Sequence, residues 1–294
     1  MGHLISSTIM LQAAREQRFA ITAFNVHTLE MLQAVVDAAV EMSAPLILQT
    51  TVGTVNHLGP EYIVAAAQTA AKMANIPIAL HLDHCTDYAL IVKCIRAGYT
   101  SVMIDASMHT YEDNVRRTLE VVKVAQAAGV NIEAELGKVG GVEDDLVVED
   151  EDARLAVPEE CQRFVEETGV STLAPAIGTA HGIYKGEPHI AFGRLEEIQR
   201  LVSIPLVLHG GSGIPEEQVK RCVKLGMSKM NVATELKIAF SNAIRTVFDT
   251  NPDENDPRKY MVPAKAAVKA LTKEKIAMAG CGGKAELMLA ATSS

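Results

Sequence analysis

Short, nearly unbroken runs of branched apolar residues recur along the chain at 20–26, 45–51, 78–83, 101–106, 131–137, 172–178, 205–210 and 229–234. Unbroken runs suit strands buried on both faces, as in a parallel sheet covered by helices, rather than the alternation of a sheet with one wet face. Between them, apolar positions fall at helical spacing, as in Leu29, Leu32, Val36 and Val40, or Val115, Leu119, Val122 and Ala125. Gly98 and Gly129 stand where a left-handed residue would close a helix shortly before the next strand. Eight such β–α units in a row predict a TIM (β/α)8 barrel, an α/β fold forming a single domain over residues 1–294. An N-terminal helix over 6–17 is expected to cap the barrel's N-terminal end, and one or two extra C-terminal helices to occupy 258–278. A doubly wound open sheet is the competing architecture, but the first strand–helix junction lacks a GxGxxG turn.

Composition narrows the partners. A chain of 294 residues with 48% hydrophobic content can bury a large core, and no Pro/Gly/Ser-rich linker divides it. The net charge of -9, without a Lys/Arg cluster, argues against nucleic acid and anionic membranes as general partners. Any anionic ligand must then be held by local devices. Five cysteines, Cys85, Cys94, Cys161, Cys222 and Cys281, form no CxxC pair, and their odd count suits a reducing compartment, so a cytoplasmic protein is expected. No leader-like basic and apolar segment opens the chain, and no apolar run approaches the ~20 residues of a membrane span.

Polar residues collect at the C-terminal ends of the predicted strands: Asn25, Thr51, Asp83 with His84, Asp105, Glu135, His181, His209, and Asn231 with Thr234. In a barrel of this kind that rim carries the active site. A lone histidine after a strand usually packs or hydrogen-bonds; three at equivalent positions point to a metal. Neutral imidazoles suit zinc, and three protein ligands leave a fourth position open for substrate. His81, two residues before Asp83, shares its face and is read as a supporting or structural residue.

Two further segments bear on ligands. His209-Gly210-Gly211-Ser212-Gly213 follows the seventh strand, and Asn231-Val232-Ala233-Thr234 ends the eighth just before a helix. Backbone N–H groups and a helix N-terminus at this place suit a phosphate, with Lys185 as a candidate cation; the plainer reading is that the glycines only turn the chain. After the fifth strand comes a long segment, Gly137-Lys138-Val139-Gly140-Gly141-Val142-Glu143-Asp144-Asp145, running acidic to Asp152. It reads as a loop in which Gly140 and Gly141 act as hinges and Glu143 is carried over the site as a general base, or else as a solvated acidic run.

Together, Leu82-Asp83-His84, Glu135-Leu136-Gly137, Gly140-Gly141-Val142-Glu143-Asp144, His181-Gly182-Ile183-Tyr184-Lys185, His209-Gly210-Gly211-Ser212-Gly213 and Asn231-Val232-Ala233-Thr234 resemble the class II, zinc-dependent ketose-bisphosphate aldolases. Asn231-Val232-Ala233-Thr234-Glu235-Leu236-Lys237 is similar to the tagatose-bisphosphate branch, whereas Gly210-Gly211-Ser212-Gly213 is more like the fructose-bisphosphate or deoxygluconate-phosphate enzymes. The resemblance implies a Zn2+ ion on His84, His181 and His209, with Asp105 and Glu135 near a second metal position. It implies Asp83 as acid/base at the scissile hydroxyl and Glu143 as the base toward dihydroxyacetone phosphate. Gly182, Lys185, Gly210, Gly211, Ser212, Asn231, Ala233 and Thr234 would surround a phosphate and a monovalent cation, Na+ or K+, with Asn25 and Thr51 also lining the substrate. Arg258 would reach a neighbouring subunit's substrate in a homodimer or homotetramer, a non-catalytic accessory subunit is a further expected partner, and Cys281 would alter a terminal phosphate contact. The expected reaction is reversible cleavage of a ketose 1,6-bisphosphate into two triose phosphates. A non-catalytic phosphosugar-binding barrel and a metal-dependent hydrolase are the alternatives; Asp83 and Glu143, neither needed to hold metal, argue against the first, and product analysis separates the second, since a hydrolase consumes water and an aldolase yields two trioses.

Overall fold

The computed structural model describes residues 3–143, 146–148, 154–184 and 186–291. In chain order the strands are β1 (Ile21–Asn25), β2 (Leu46–Thr51), β3 (Ile78–Cys85), β4 (Ser101–Ile104), β5 (Asn131–Leu136), β6 (Gly140–Glu143), β7 (Leu146–Val148), β8 (Thr172–Pro175), β9 (Ala180–His181), β10 (Leu206–Leu208) and β11 (Met227–Val232). Eight of them close a barrel in the order β1-β2-β3-β4-β5-β8-β10-β11, every neighbour parallel. Each barrel strand lies within or beside one of the eight apolar runs, and helices cover the outside. Outward residues such as Ile78, Leu80, Leu82, Ile132 and Leu173 are fully buried in the main apolar core.

The inside of the barrel differs from the expectation of strands apolar on both faces. One row of register partners, Asn25↔Gln49↔His81↔Ser101↔Asn131, is polar throughout and fully buried. Buried polar groups are costly unless hydrogen-bonded, and these are: His81 Nδ1 lies 2.7 Å from Ser101 Oγ, and Asn131 Nδ2 donates to Ser101 Oγ at 3.2 Å. The helix Ser7–Gln17 closes the N-terminal end as expected, its first turn capped by Ser6, which accepts from the Thr8 N–H. Ser7 Oγ donates to Ser101 Oγ at 3.1 Å and Thr8 Oγ1 to Asn131 Oδ1 at 3.0 Å, so the capping helix is bonded into the bottom of the polar column.

Two departures from the sequence reading matter for the site. The sixth barrel strand stops at Pro175, which has no N–H to continue the ladder, so His181 does not extend it. His181 lies instead on β9, in a small sheet ordered β7-β6-β9. The segment after β5, expected to be a loop, carries the β6–β7 hairpin, with Gly141 paired to Val148 on one side and to His181 on the other. The expected C-terminal extension is one helix over that span, Pro257–Ala279, running through Pro263, and a short helix, Ala285–Ala291, follows it. No described helix is long and apolar enough to cross a membrane, and all five cysteines are free thiols in the interior. Cys281 packs against Thr22 and the Ile276 carbonyl on the outer side of β1, which does not support the expected phosphate contact.

Candidate active site

Asp83 and His84 are adjacent in sequence, so a regular strand would send them to opposite faces. Three residues of β3 instead span two of β4, since Leu82 pairs with Val102 and Cys85 with Ile104. The bulge falls on Asp83 and His84, and His84 takes a left-handed φ of 45° there, uncommon for a residue with a Cβ. Both side chains can then serve one site.

His84, His181 and His209 form a compact triangle, with ring centroids 4.8, 4.6 and 5.8 Å apart. Their ring nitrogens lie within 4.8 Å of one another, as do ligand atoms of His84, Asp105 and Glu135. Carboxylates hold two of the rings from behind: Asp105 Oδ2 is 2.7 Å from His84 Nδ1, and Glu133 Oε1 is 2.8 Å from His209 Nε2. If each ring donates its one N–H to that carboxylate, the remaining nitrogens carry lone pairs. Those nitrogens, His84 Nε2 and His209 Nδ1, face each other at 2.8 Å. Two lone pairs so close repel unless a cation or proton comes between them, and imidazoles backed by carboxylates are the usual dress of a metal ligand. The donor set therefore fits a divalent metal that takes nitrogen, zinc foremost.

Electrostatics agrees with neutral ligands. Burial, reinforced by the neighbouring histidines, holds His181 and His209 well below the ordinary imidazole range. Asp105 opposes its burial with hydrogen bonds from His84 and Ser107 and stays below the usual carboxylate range. Glu135, buried and close to Asp105, is pushed up to about 8. Its Oε1 accepts from the Val139 N–H at 3.2 Å. A cation near His84, Asp105 and Glu135 would relieve that crowding.

Asp83 sits beside this cluster, held by amides rather than by cations. Asn25 Nδ2 and Gln49 Nε2 donate to its Oδ2 at 3.0 and 3.2 Å, and Asn231 Nδ2 to its Oδ1 at 3.2 Å. Three neutral donors fix a carboxylate in place without pairing off its charge, which suits a proton acceptor.

The glycine-rich rim is tightly stitched. Gly210 has a φ of 66°, and a side chain there would run into the Ala180 carbonyl; one on Gly141 would strike the His181 backbone. Close approach of chains, rather than hinge freedom, is what Gly141 provides. Tyr184 Oη accepts from the Ala180 N–H and donates to the Gly210 carbonyl, both at 2.9 Å, tying the loop after His181 to the loop after His209. Ser212 Oγ accepts from the Ala233 and Glu235 N–H groups at 3.3 and 3.4 Å, anchoring the start of the helix Thr234–Thr250. The Gly182, Gly211, Ala233 and Thr234 positions lie on the same rim segments.

The remaining predicted residues are placed differently. Thr51 caps the helix Val52–Leu58 by accepting from the Thr54 N–H. Arg258 is 88% exposed at the start of the long C-terminal helix and pairs with Asp256, outside the histidine cluster of its own chain. Glu143 ends β6, and Lys185, with the acidic residues Asp144, Asp145 and Asp152, lies outside the described residues. Sequence reasoning did not single out Glu133, Lys229, Gln49 or Tyr184. The signal for Glu133 was a period-two alternation, Asn131, Glu133 and Glu135 against Ile132, Ala134 and Leu136.

Comparison with known proteins adds a second line of support. The family described as "Fructose-bisphosphate aldolase class-II" matches residues 5–284. The D-tagatose-1,6-bisphosphate aldolase subunit GatY of Klebsiella oxytoca is 47% identical over 281 residues, 96% of this chain and 99% of that one. The crystal structure of the YdjI aldolase of Escherichia coli K12 is similar with a TM-score of 0.84 at 34% identity, over 96% of this chain and 99% of its own. The fructose-bisphosphate aldolase of Campylobacter jejuni gives a TM-score of 0.80 at 25% identity, over 96% and 97%. A barrel with three histidines gathered on its rim, matched along nearly its whole length, belongs to the class II fructose-bisphosphate aldolase family.

Proposed function

We propose that the chain catalyses the reversible, zinc-dependent aldol cleavage of D-tagatose 1,6-bisphosphate to dihydroxyacetone phosphate and D-glyceraldehyde 3-phosphate. The observation that carries this reading is Asp83, a carboxylate fixed by three amides beside a histidine triangle it does not join. A metal ligand would have no need of that arrangement, and a proton shuttle does.

A zinc ion held by His84, His181 and His209 would supply a Lewis acid that draws charge toward the substrate's ketone oxygen. The chain's own groups do the rest. In cleavage Asp83 takes the proton of the C4 hydroxyl as the C3–C4 bond breaks, and in synthesis it returns that proton to the aldehyde oxygen. Glu143, on the rim hairpin, handles the proton carried by carbon in dihydroxyacetone phosphate. The Gly210–Ser212 loop and the Thr234 N–H, which lies between the Ala233 and Glu235 groups bonded to Ser212, receive a phosphate, with Gly182 and Lys185 beside it and a monovalent cation, Na+ or K+, balancing charge. Phosphate contacts remote from the reacting carbons align them and contribute binding energy in the transition state. The tagatose preference rests on the relative at 47% identity and on Ala233 in the Asn231–Thr234 segment. Exposed Arg258 and that relative's description as a subunit support a homo-oligomer, with or without an accessory chain, and five free interior cysteines fit a cytoplasmic setting.

The test is triose phosphate release from tagatose and fructose 1,6-bisphosphates side by side, with zinc and after chelation. Zinc-dependent cleavage favouring tagatose is expected. A fructose preference would transfer the same chemistry to the C4 epimer, and no cleavage of either would reject the substrate class.

A further inference from the structure

Below the histidine triangle, inside the barrel, lies a buried ion pair that the aldol chemistry does not use. Lys229 Nζ, from β11, is 2.8 Å from Glu133 Oε2, from β5, and both side chains are sealed from solvent. The other oxygen, Glu133 Oε1, is 2.8 Å from His209 Nε2. His81 packs alongside, its Nε2 3.9 Å from Glu133 Oε2 and its Nδ1 engaged with Ser101. A buried ion pair of this kind gives little net stability, so specificity is the natural place to look for its use.

A neutral imidazole has one N–H, and which nitrogen carries it is set by the partners of both. Around His209 Nε2 there are two competing partners. Glu133 Oε1 at 2.8 Å can only accept, which requires Nε2–H; Asn231 Nδ2 at 3.4 Å can only donate, which requires a bare Nε2. The two tautomers have opposite consequences at the other side of the ring. With Nε2–H, Nδ1 presents a lone pair toward His84 Nε2; with bare Nε2, Nδ1 carries the proton and cannot bind a cation.

We infer that Glu133 and Lys229 are positioning residues that hold His209 in its Nε2–H tautomer and thereby make Nδ1 the nitrogen offered to the metal. The short, charge-assisted contact outcompetes the longer amide contact, and Lys229 keeps Glu133 aimed at the ring while offsetting the burial of its charge. Asn231 is left to serve Asp83, to which it donates at 3.2 Å. The ion pair thus separates two functions that would otherwise compete for one amide. This inference rests on the metal reading above, but its first readout needs no metal.

The decisive measurement is the long-range 15N–1H spectrum of metal-free, histidine-labelled protein, with the His209 signals assigned by comparison with His209→Gln. The expected wild-type result is one neutral tautomer with the proton on Nε2. In the double variant Glu133→Leu/Lys229→Met, which removes both buried charges together, the Nδ1–H tautomer becomes the majority and zinc affinity falls about 10- to 100-fold. Lys229→Arg, which keeps the charge, retains the wild-type tautomer and zinc affinity within about threefold. An Nδ1–H signal in wild-type protein, or a folded double variant with wild-type tautomer and affinity, overturns the inference. Should the double variant not fold, the wild-type spectrum and Lys229→Arg still decide. A wild-type protein that shows the Nε2–H tautomer yet binds no zinc would overturn the metal reading instead.

Discussion

Asp83 and its three amide donors separate two demands on one carboxylate: a fixed position and a free charge. Asp83→Asn keeps the shape but removes the basic site, so kcat is expected to fall about 10^2- to 10^4-fold while zinc content, measured by metal analysis, stays at the wild-type level. A parallel loss of zinc would make Asp83 a ligand and not the proton carrier. Asp83 and the three histidines were legible in the sequence because each follows an apolar run and bears chemistry that such runs rarely need. Glu133 and Lys229 were not, because a strand read as apolar on both faces has no place for a charge in its middle. For Glu133 the clue lay in the alternation of Asn131–Leu136, which marks an inward polar face and an outward apolar one.

Among the elements, the rim sheet had the least sequence signature. His181 was expected at the end of a barrel strand, but Pro175 ends the ladder and the chain turns through Gly178, at a φ of 94°, before pairing with the hairpin β6–β7. Strands of two to four residues leave no periodicity to read. The dependence of His181 on its neighbour is testable. Gly141→Ala places a methyl group against the His181 backbone at a φ of 96°; it is expected to destabilise the hairpin by about 1–3 kcal/mol and to weaken zinc binding. Limited proteolysis near residue 141 and zinc competition should change together, and intact zinc affinity would show that β9 holds its place unaided. Tyr184→Phe removes the bridge to the Gly210 carbonyl, at about 1 kcal/mol. A higher KM for the bisphosphate, with kcat nearly unchanged, is the expected kinetic result; a change in kcat alone would place Tyr184 in the chemistry rather than in phosphate binding.

For the whole molecule, the buried histidines and Glu135 set opposing pH dependences in the metal-free protein. His81, His181 and His209 are held neutral by burial. Unfolding lets them take up protons below about pH 6.5, so stability falls with acidification by about 1.4 kcal/mol per pH unit for each group, until the folded-state values are reached. Glu135, raised to about 8, acts the other way: it retains its proton on folding, and that contribution is lost as pH rises from the ordinary carboxylate range toward 8. Denaturant midpoints of the metal-free protein should therefore peak near neutrality, and a midpoint that keeps increasing as the pH is lowered to 5 would contradict the neutral histidines. The polar interior also bears on how the chain is made. Glu133 and Lys229 are 96 residues apart. On the ribosome the first five strands emerge long before the cation that neutralises the centre of their sheet. A half-barrel built from them would bury a carboxylate without its counter-ion, so it should remain open and wet, and the last strand would act as the latch that lets water leave.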